Sequence, residues 1–133
     1  VLDTNAVSAL LKGEPGAVDR LKSLRRTDVA VPQPVIAEIE YGIARLPRSK
    51  RRTRLAMRFE IVAAEIGRAP WNDEVSERFG AIKASLEKRG SMIADFDIAI
   101  AAHALAHRAV LVTADRAHMA RISGLEIEDW AAT

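Results

Sequence analysis

Short apolar runs rich in β-branched residues, each too brief for a helix, alternate along this chain with longer stretches of helical spacing. The clearest is Val110-Leu111-Val112-Thr113, and Val29-Ala30-Val31, closed by Pro32, is another. Such runs read as strands buried on both faces. The opening Val1-Leu2 carries the same pattern, and a last strand is expected near Leu125-Ile127. Strands separated by helices pair in parallel, which implies an open α/β sheet with helices on both faces. In such sheets ligands bind beyond the carboxyl ends of the strands.

The intervening stretches carry helix punctuation. Asn5 or Thr4 can cap a short helix through Leu11, with Gly13 as its stop. Pro15-Gly16 opens a second, Ala17 to about Arg25, and Pro34 suits the first turn of a third, ended by Pro47. Ser49 can cap a basic helix that runs to about Glu65, its core stripe Leu55, Phe59 and Val62 broadened by Met57 and Ile61. Asn72 or Asp73 caps the next, through Val75, Phe79, Ile82 and Leu86, and an alanine-rich helix follows from about Asp95 to His107. No strand is expected between Glu65 and Asn72.

Length and composition bound the rest. The 133 residues fit one domain, 1–133, large enough to bury roughly two-thirds of its unfolded surface. The absence of cysteine excludes disulfides, thiolate nucleophiles and Cys-based zinc sites. No run approaches the ~18 apolar residues of a membrane span, and no signal peptide opens the chain, so a cytoplasmic protein is expected. The chain starts on Val1 in mid-pattern, so a few residues are expected to precede it. The net charge of +2 is unevenly spread. Between Glu40 and Glu60 stand Arg45, Arg48, Lys50, Arg51, Arg52, Arg54 and Arg58 with no acid among them. That segment reads either as a solvated helix face or as a surface for phosphate or an acidic partner.

Four acids carry the chemistry. Asp3 and Asp115 each follow a predicted strand, Asp97 opens a helix, and Glu38 lies inside one. Each alone has a structural role available, as a cap or as a charge favoured by the helix dipole. Together they would repel: two unit charges about 4 Å apart cost roughly 4 kcal/mol at an effective dielectric near 20. A fold that gathers them requires a cation, and oxygen donors favour Mg²⁺ or Mn²⁺. Helical periodicity does not choose between Glu38 and Glu40, which flank the apolar stripe about 200° apart. Asp95 likewise reads as a helix cap or as a further acid. His103 and His107 have i, i+4 spacing, but Ala104 stands where a zincin needs Glu, so they read as surface residues near a helix end. Trp71 and Trp130 read as packing residues.

Four segments in series resemble a PIN-domain ribonuclease, specifically a VapC-like toxin of a bacterial toxin–antitoxin pair. They are Val1-Leu2-Asp3-Thr4-Asn5, then Ala37-Glu38-Ile39-Glu40-Tyr41-Gly42-Ile43, then Asp97-Ile98-Ala99-Ile100-Ala101-Ala102, and finally Leu111-Val112-Thr113-Ala114-Asp115 continuing to Trp130. Order and spacing match over essentially the whole chain. The resemblance implies a PIN-like three-layer α/β/α fold, helix-rich, with a short mainly parallel sheet. It selects Glu38 over Glu40, Asp97 over Asp95, and makes Asp3, Glu38, Asp97 and Asp115 the catalytic metal site. Many relatives carry Asn at the Ala114 or Asp115 position, so Asp115 is either a ligand or an organiser of metal-bound water.

The implied activity is cleavage of RNA with Mg²⁺ or Mn²⁺. Thr4, Asn5 and Thr113 would support the ligands, and Arg51, Arg52, Arg54 and Arg116 would bind RNA backbone. The implied partners are a VapB-like antitoxin and a second copy of the chain, with no membrane. Two rivals share features of this pattern. A haloacid-dehalogenase-like phosphatase also starts with Asp after a first strand, but wants a second acid where Asn5 stands. A non-catalytic RNA- or protein-binding domain on the same fold is the other.

Overall fold

The structure, a computed structural model, describes residues 1–131. Ala132 and Thr133, the end of the expected 1–133 domain, lie outside the described residues. Helices α1 (Thr4–Leu11), α2 (Pro15–Lys22), α3 (Gln33–Ala44), α4 (Lys50–Glu65), α5 (Asp73–Lys88), α6 (Asp95–Ala106) and α7 (Arg116–Met119) alternate with strands β1 (Ala30–Pro32), β2 (Gly67–Ala69), β3 (Leu111–Val112) and β4 (Ile127–Glu128). β1 pairs in parallel with β2, and β3 in parallel with β4. The Val1–Asp3 segment joins the two pairs. Leu2 N–H donates to Ala30 O at 3.1 Å on one side, while Asp3 N–H donates to Val112 O at 3.0 Å on the other. The sheet therefore reads β2-β1-(1–3)-β3-β4 across. Its strand order reverses beside Val1–Asp3, where open parallel sheets bind ligands.

The core explains the short strands. Leu2 and Leu111 are fully buried and Val31 nearly so, because helices cover the sheet. α6 is buried all round from Ile98 to Ala104, the pattern of a central helix. Its alanines let α5 and α3 approach it closely, while Ile98 and Ile100 each contribute roughly 1.5–3 kcal/mol of burial. α6 ends with Arg108 in the left-handed region, at φ 52°. That turn lets Ala109 N–H reach Ala104 O at 2.9 Å and aims the chain directly into β3. Gly13, at φ 70°, ends α1 in the same conformation without a side-chain penalty. No helix among the described residues is long and apolar enough to cross a membrane.

Three local expectations are corrected. The cap of α1 is Asp3 itself, not Thr4 or Asn5. Met57 and Ile61 are about 60% exposed (58% and 60%), so the buried face of α4 is the narrower stripe of Phe59 and Ala63. The strand Gly67–Ala69 lacks any apolar run. It is an edge strand held by backbone pairing to β1, with only Ala69 buried.

Candidate metal centre and nucleic-acid groove

Asp3 stands where the sheet hands the chain to α1. Its N–H is held by Val112 O, and its Oδ1 accepts from Ala6 N–H at 2.7 Å, capping the helix. Only 6% of the residue is exposed. That burial pushes its carboxyl above the ordinary range. Hydrogen bonds from Thr113 and Ala6 pull it back, and the charges of Asp115 and Glu38 push it up again. The cap thus fixes the side chain without neutralising it.

Glu38 reaches the same edge from the middle of α3, where its Oε1 accepts from the Thr4 hydroxyl at 2.5 Å. Glu40 is exposed on the far side of that helix. Asp97, in the first turn of α6, is half-buried. Desolvation raises its pKa most, followed by repulsion from Glu38 and Asp115; His118 opposes them and Asp3 adds a little. Asp95 is drawn away from this group, pairing with Lys83 Nζ at 3.1 Å.

Asp115 caps α7. Its Oδ1 accepts from His118 N–H at 3.2 Å, and its Oδ2 meets His118 Nδ1 at 2.7 Å. Its own N–H donates to Thr113 Oγ1 at 3.0 Å. The His118 side chain is the main reason its carboxyl lies below the usual range. His118 escaped the sequence reading. Its position three residues after an Asp at a helix start is the signal that could have found it, since that spacing closes a cap.

The four acids therefore stand within each other's electrostatic reach at the carboxyl edge of the sheet. Among the described residues, Asp3, Glu38 and Asp97 have no Lys or Arg within ion-pair distance. An all-carboxylate set under mutual repulsion suits a hard divalent cation in donor chemistry. No three of the described His, Asp or Glu side chains are gathered closely enough to form a ligand cage. Glu38 and Asp115 instead spend oxygens on Thr4 and His118. Thr4 and Thr113 thus each touch an acid, while Asn5 is exposed beside them.

A cavity of ≈480 Å³ opens from Thr4 and Glu38 between α1, α3 and α4. Leu46 and Leu55 line it with apolar surface, and Arg51, Arg54 and Arg58 give it positive charge. Arg58 is committed to structure, donating to Leu11 O at 3.2 Å and so locking α4 to the end of α1. Arg52 points elsewhere, lining a separate depression with Arg48, Met57 and Glu60. Arg116 is exposed at the start of α7.

His103 is fully buried rather than a surface residue. It meets Trp71 edge-on, with ring centroids 5.7 Å apart, and stacks near His107 at 6.2 Å. Neither of its ring nitrogens has a partner among the described residues. Trp71 is a packing residue there, its Nε1 held by Ser76 Oγ at 2.7 Å.

Residues 1–125 match the PIN domain family. Over 132 residues the chain is 29% identical to Ribonuclease VapC2 of Rickettsia felis, covering 98% of this chain and 96% of that protein. It is 31% identical over 137 residues to the VapC ribonuclease Y4jK of Sinorhizobium fredii, covering 96% and 94%. Among solved structures, a chain of the Rickettsia felis VapBC2 complex with a promoter DNA fragment superposes with a TM-score of 0.87 at 27% identity, over 97% of this chain and 96% of that one. The FitAcB structure from Neisseria gonorrhoeae gives 0.83 at 27% identity, over 99% and 98%. The fold, the edge that gathers the acids and these likenesses agree: the chain belongs to the PIN-domain family, among the VapC ribonucleases.

Proposed function

We propose that this chain is a divalent-metal-dependent endoribonuclease, the toxin of a VapBC-like pair. It hydrolyses phosphodiester bonds of RNA in the cytoplasm, acts as a homodimer, and is restrained by a VapB-like antitoxin. The observation that supports this most is the set of four mutually repelling carboxylates, three of them without a basic partner among the described residues, beside an arginine-lined groove.

Asp3, Glu38 and Asp97 would hold Mg²⁺ or Mn²⁺. When bound, such an ion polarises the scissile phosphate and lowers the pKa of an attacking water. Thr4 holds Glu38 against α1, and Thr113 links Asp3 to Asp115, so the acids are oriented from two strands and two helices. Asp115 has both oxygens engaged by His118 and serves better to order solvent at the site than to ligate directly. Arg51 and Arg54 have no ion-pair partner among the described residues and are placed to take backbone phosphates entering the groove.

The test is cleavage of labelled RNA by the purified chain. Cleavage is expected with Mg²⁺ or Mn²⁺, is stopped by EDTA, and is abolished in Asp3→Asn while circular dichroism stays native. Full activity of Asp3→Asn, or cleavage indifferent to EDTA, overturns the assignment. Sequencing the 5′ ends of RNAs cut on induction, wild type against Asp3→Asn, then identifies the substrate.

A further inference from the structure

A second cavity, ≈330 Å³, lies on the other side of α1. Asn5, Thr113 and Ala114, next to Asp3 and Asp115 in the chain, line it together with Asp129 and Trp130. Ser8 and Lys12 line both this cavity and the arginine groove. α1 is therefore a ridge with a hollow on each flank, and the acids stand at the head of the ridge.

The two hollows differ in charge. The groove carries three arginines and a lysine against one acid, Glu38. The second cavity carries one lysine against Glu14 and Asp129. A phosphate is repelled from such a lining, whereas a neutral ring with hydrogen-bonding edges is not. Its size falls at the lower end of small-ligand pockets, ~300–1,000 Å³. The indole N–H of Trp130 is already given to Glu128 Oε1 at 3.0 Å, so Trp130 contributes apolar ring surface to the wall. Asp129 Oδ1 accepts from Ala131 N–H at 2.9 Å, which leaves Oδ2 as an acceptor. Asn5, also in the lining, carries a donor and an acceptor.

We propose that this cavity is a nucleoside subsite: it receives the base and ribose on one side of the scissile phosphate, while the backbone on the other side follows the arginine groove. Asp129 then favours a base that presents an amino or ring N–H edge. This rests on the ribonuclease reading for its biological use, but the cavity's occupancy can be measured apart from it.

Two experiments test the subsite. In the first, an RNA cut at one position is made abasic at the nucleotide on either flank, and kcat/KM is compared in wild type, Asp129→Asn and the cavity-filling Ala9→Leu. One flank is expected to cost wild type about tenfold, the scale of one base contact, and to cost the variants much less. Equal abasic effects in all three proteins, or none at either flank, overturn the proposal. In the second, the four uncharged nucleosides are titrated into the metal-free chain while the Trp130 indole N–H resonance is followed by NMR. A saturable shift in wild type that is lost in Ala9→Leu supports the subsite; no shift at millimolar ligand overturns it. Should wild type cleave no RNA at all, the nuclease reading falls and this titration alone decides the subsite. Asp129→Asn is close to isosteric, which guards against a result that reflects misfolding of the filled variant.

Discussion

Lowering the pH from about 8 to about 5 should cost this protein roughly 2 kcal/mol of stability through one residue, His103. Burial, with a smaller contribution from the charge of His107, lowers its pKa from 6.5 to about 4. The unfolded chain therefore binds a proton that the folded chain refuses. Stability is fully present above about pH 6.5 and is lost as pH falls through that value toward 4, reaching about 3 kcal/mol in the acid limit. Asp3 and Asp97 act with the opposite sign, since their raised values mean that protonation relieves the native state. The comparison must therefore be differential. Urea unfolding followed by circular dichroism, on wild type and His103→Phe at both pH values, isolates the imidazole. Phenylalanine keeps an aromatic ring against Trp71 and removes two nitrogens that have no partner among the described residues. An unmet buried polar group costs about 1–3 kcal/mol, so the variant is also expected to be the more stable protein at the higher pH. An equal loss of stability in both proteins between the two pH values refutes the reasoning.

The remaining predictions concern the site. Glu38→Gln should abolish cleavage and Glu40→Gln should leave it within about twofold, because only Glu38 shares the electrostatic field of Asp97; equal effects in the assay would sink the distinction. Replacing Arg51 and Arg54 with Ala should weaken RNA binding and flatten its log–log salt dependence by about 1.4, or ~0.7 for each lost phosphate contact to a single strand. A filter-binding series over ionic strength measures that slope. Asp3→Asn should unfold at higher denaturant than wild type at neutral pH, since it removes a buried charge repelled by Asp115 and Glu38; a lower midpoint would contradict the assigned cause of the raised pKa.

The architecture was legible because it rests on patterns with one physical meaning. Val110–Thr113 can be little else than a buried strand, and helical spacing between such runs forces parallel pairing. What the chain hid has physical reasons too. Gly67-Arg68-Ala69 becomes a strand only because β1 offers it backbone partners, and no side chain announces that. Met57 and Ile61 extend an apolar stripe on α4, yet the helix lies on the surface and buries only Phe59 and Ala63. His103 reads as polar, but the α5–α6 packing leaves it no solvent. At the site, residue type and position pointed to Asp3 and Asp115, while only the family resemblance chose Glu38 over Glu40 and Asp97 over Asp95. The Asp115–His118 pair is legible only through cap spacing, because α7 has four residues and no periodicity of its own.

An aspartate between a strand and a helix invites a choice between cap and ligand, and Asp3 shows why the choice is a false one. Capping uses a single oxygen, Oδ1, on the Ala6 amide. The same bond fixes the side chain at the sheet edge, where the Thr113 hydroxyl is its other partner and no second charge neutralises it. Asp115 tests the idea by contrast, because there capping is followed by a second bond to His118 that engages the other oxygen as well. The two residues begin from the same local device and end with different capacities for a metal ion. What separates them is the partner three residues along, an apolar valine–alanine context at Ala6 and an imidazole at His118. Asn at position 3 would keep the cap, since it ranks with Asp as a helix N-cap, while discarding the charge. Loss of cleavage in Asp3→Asn with the fold intact would therefore report on the carboxylate's charge, not on the helix that the residue begins.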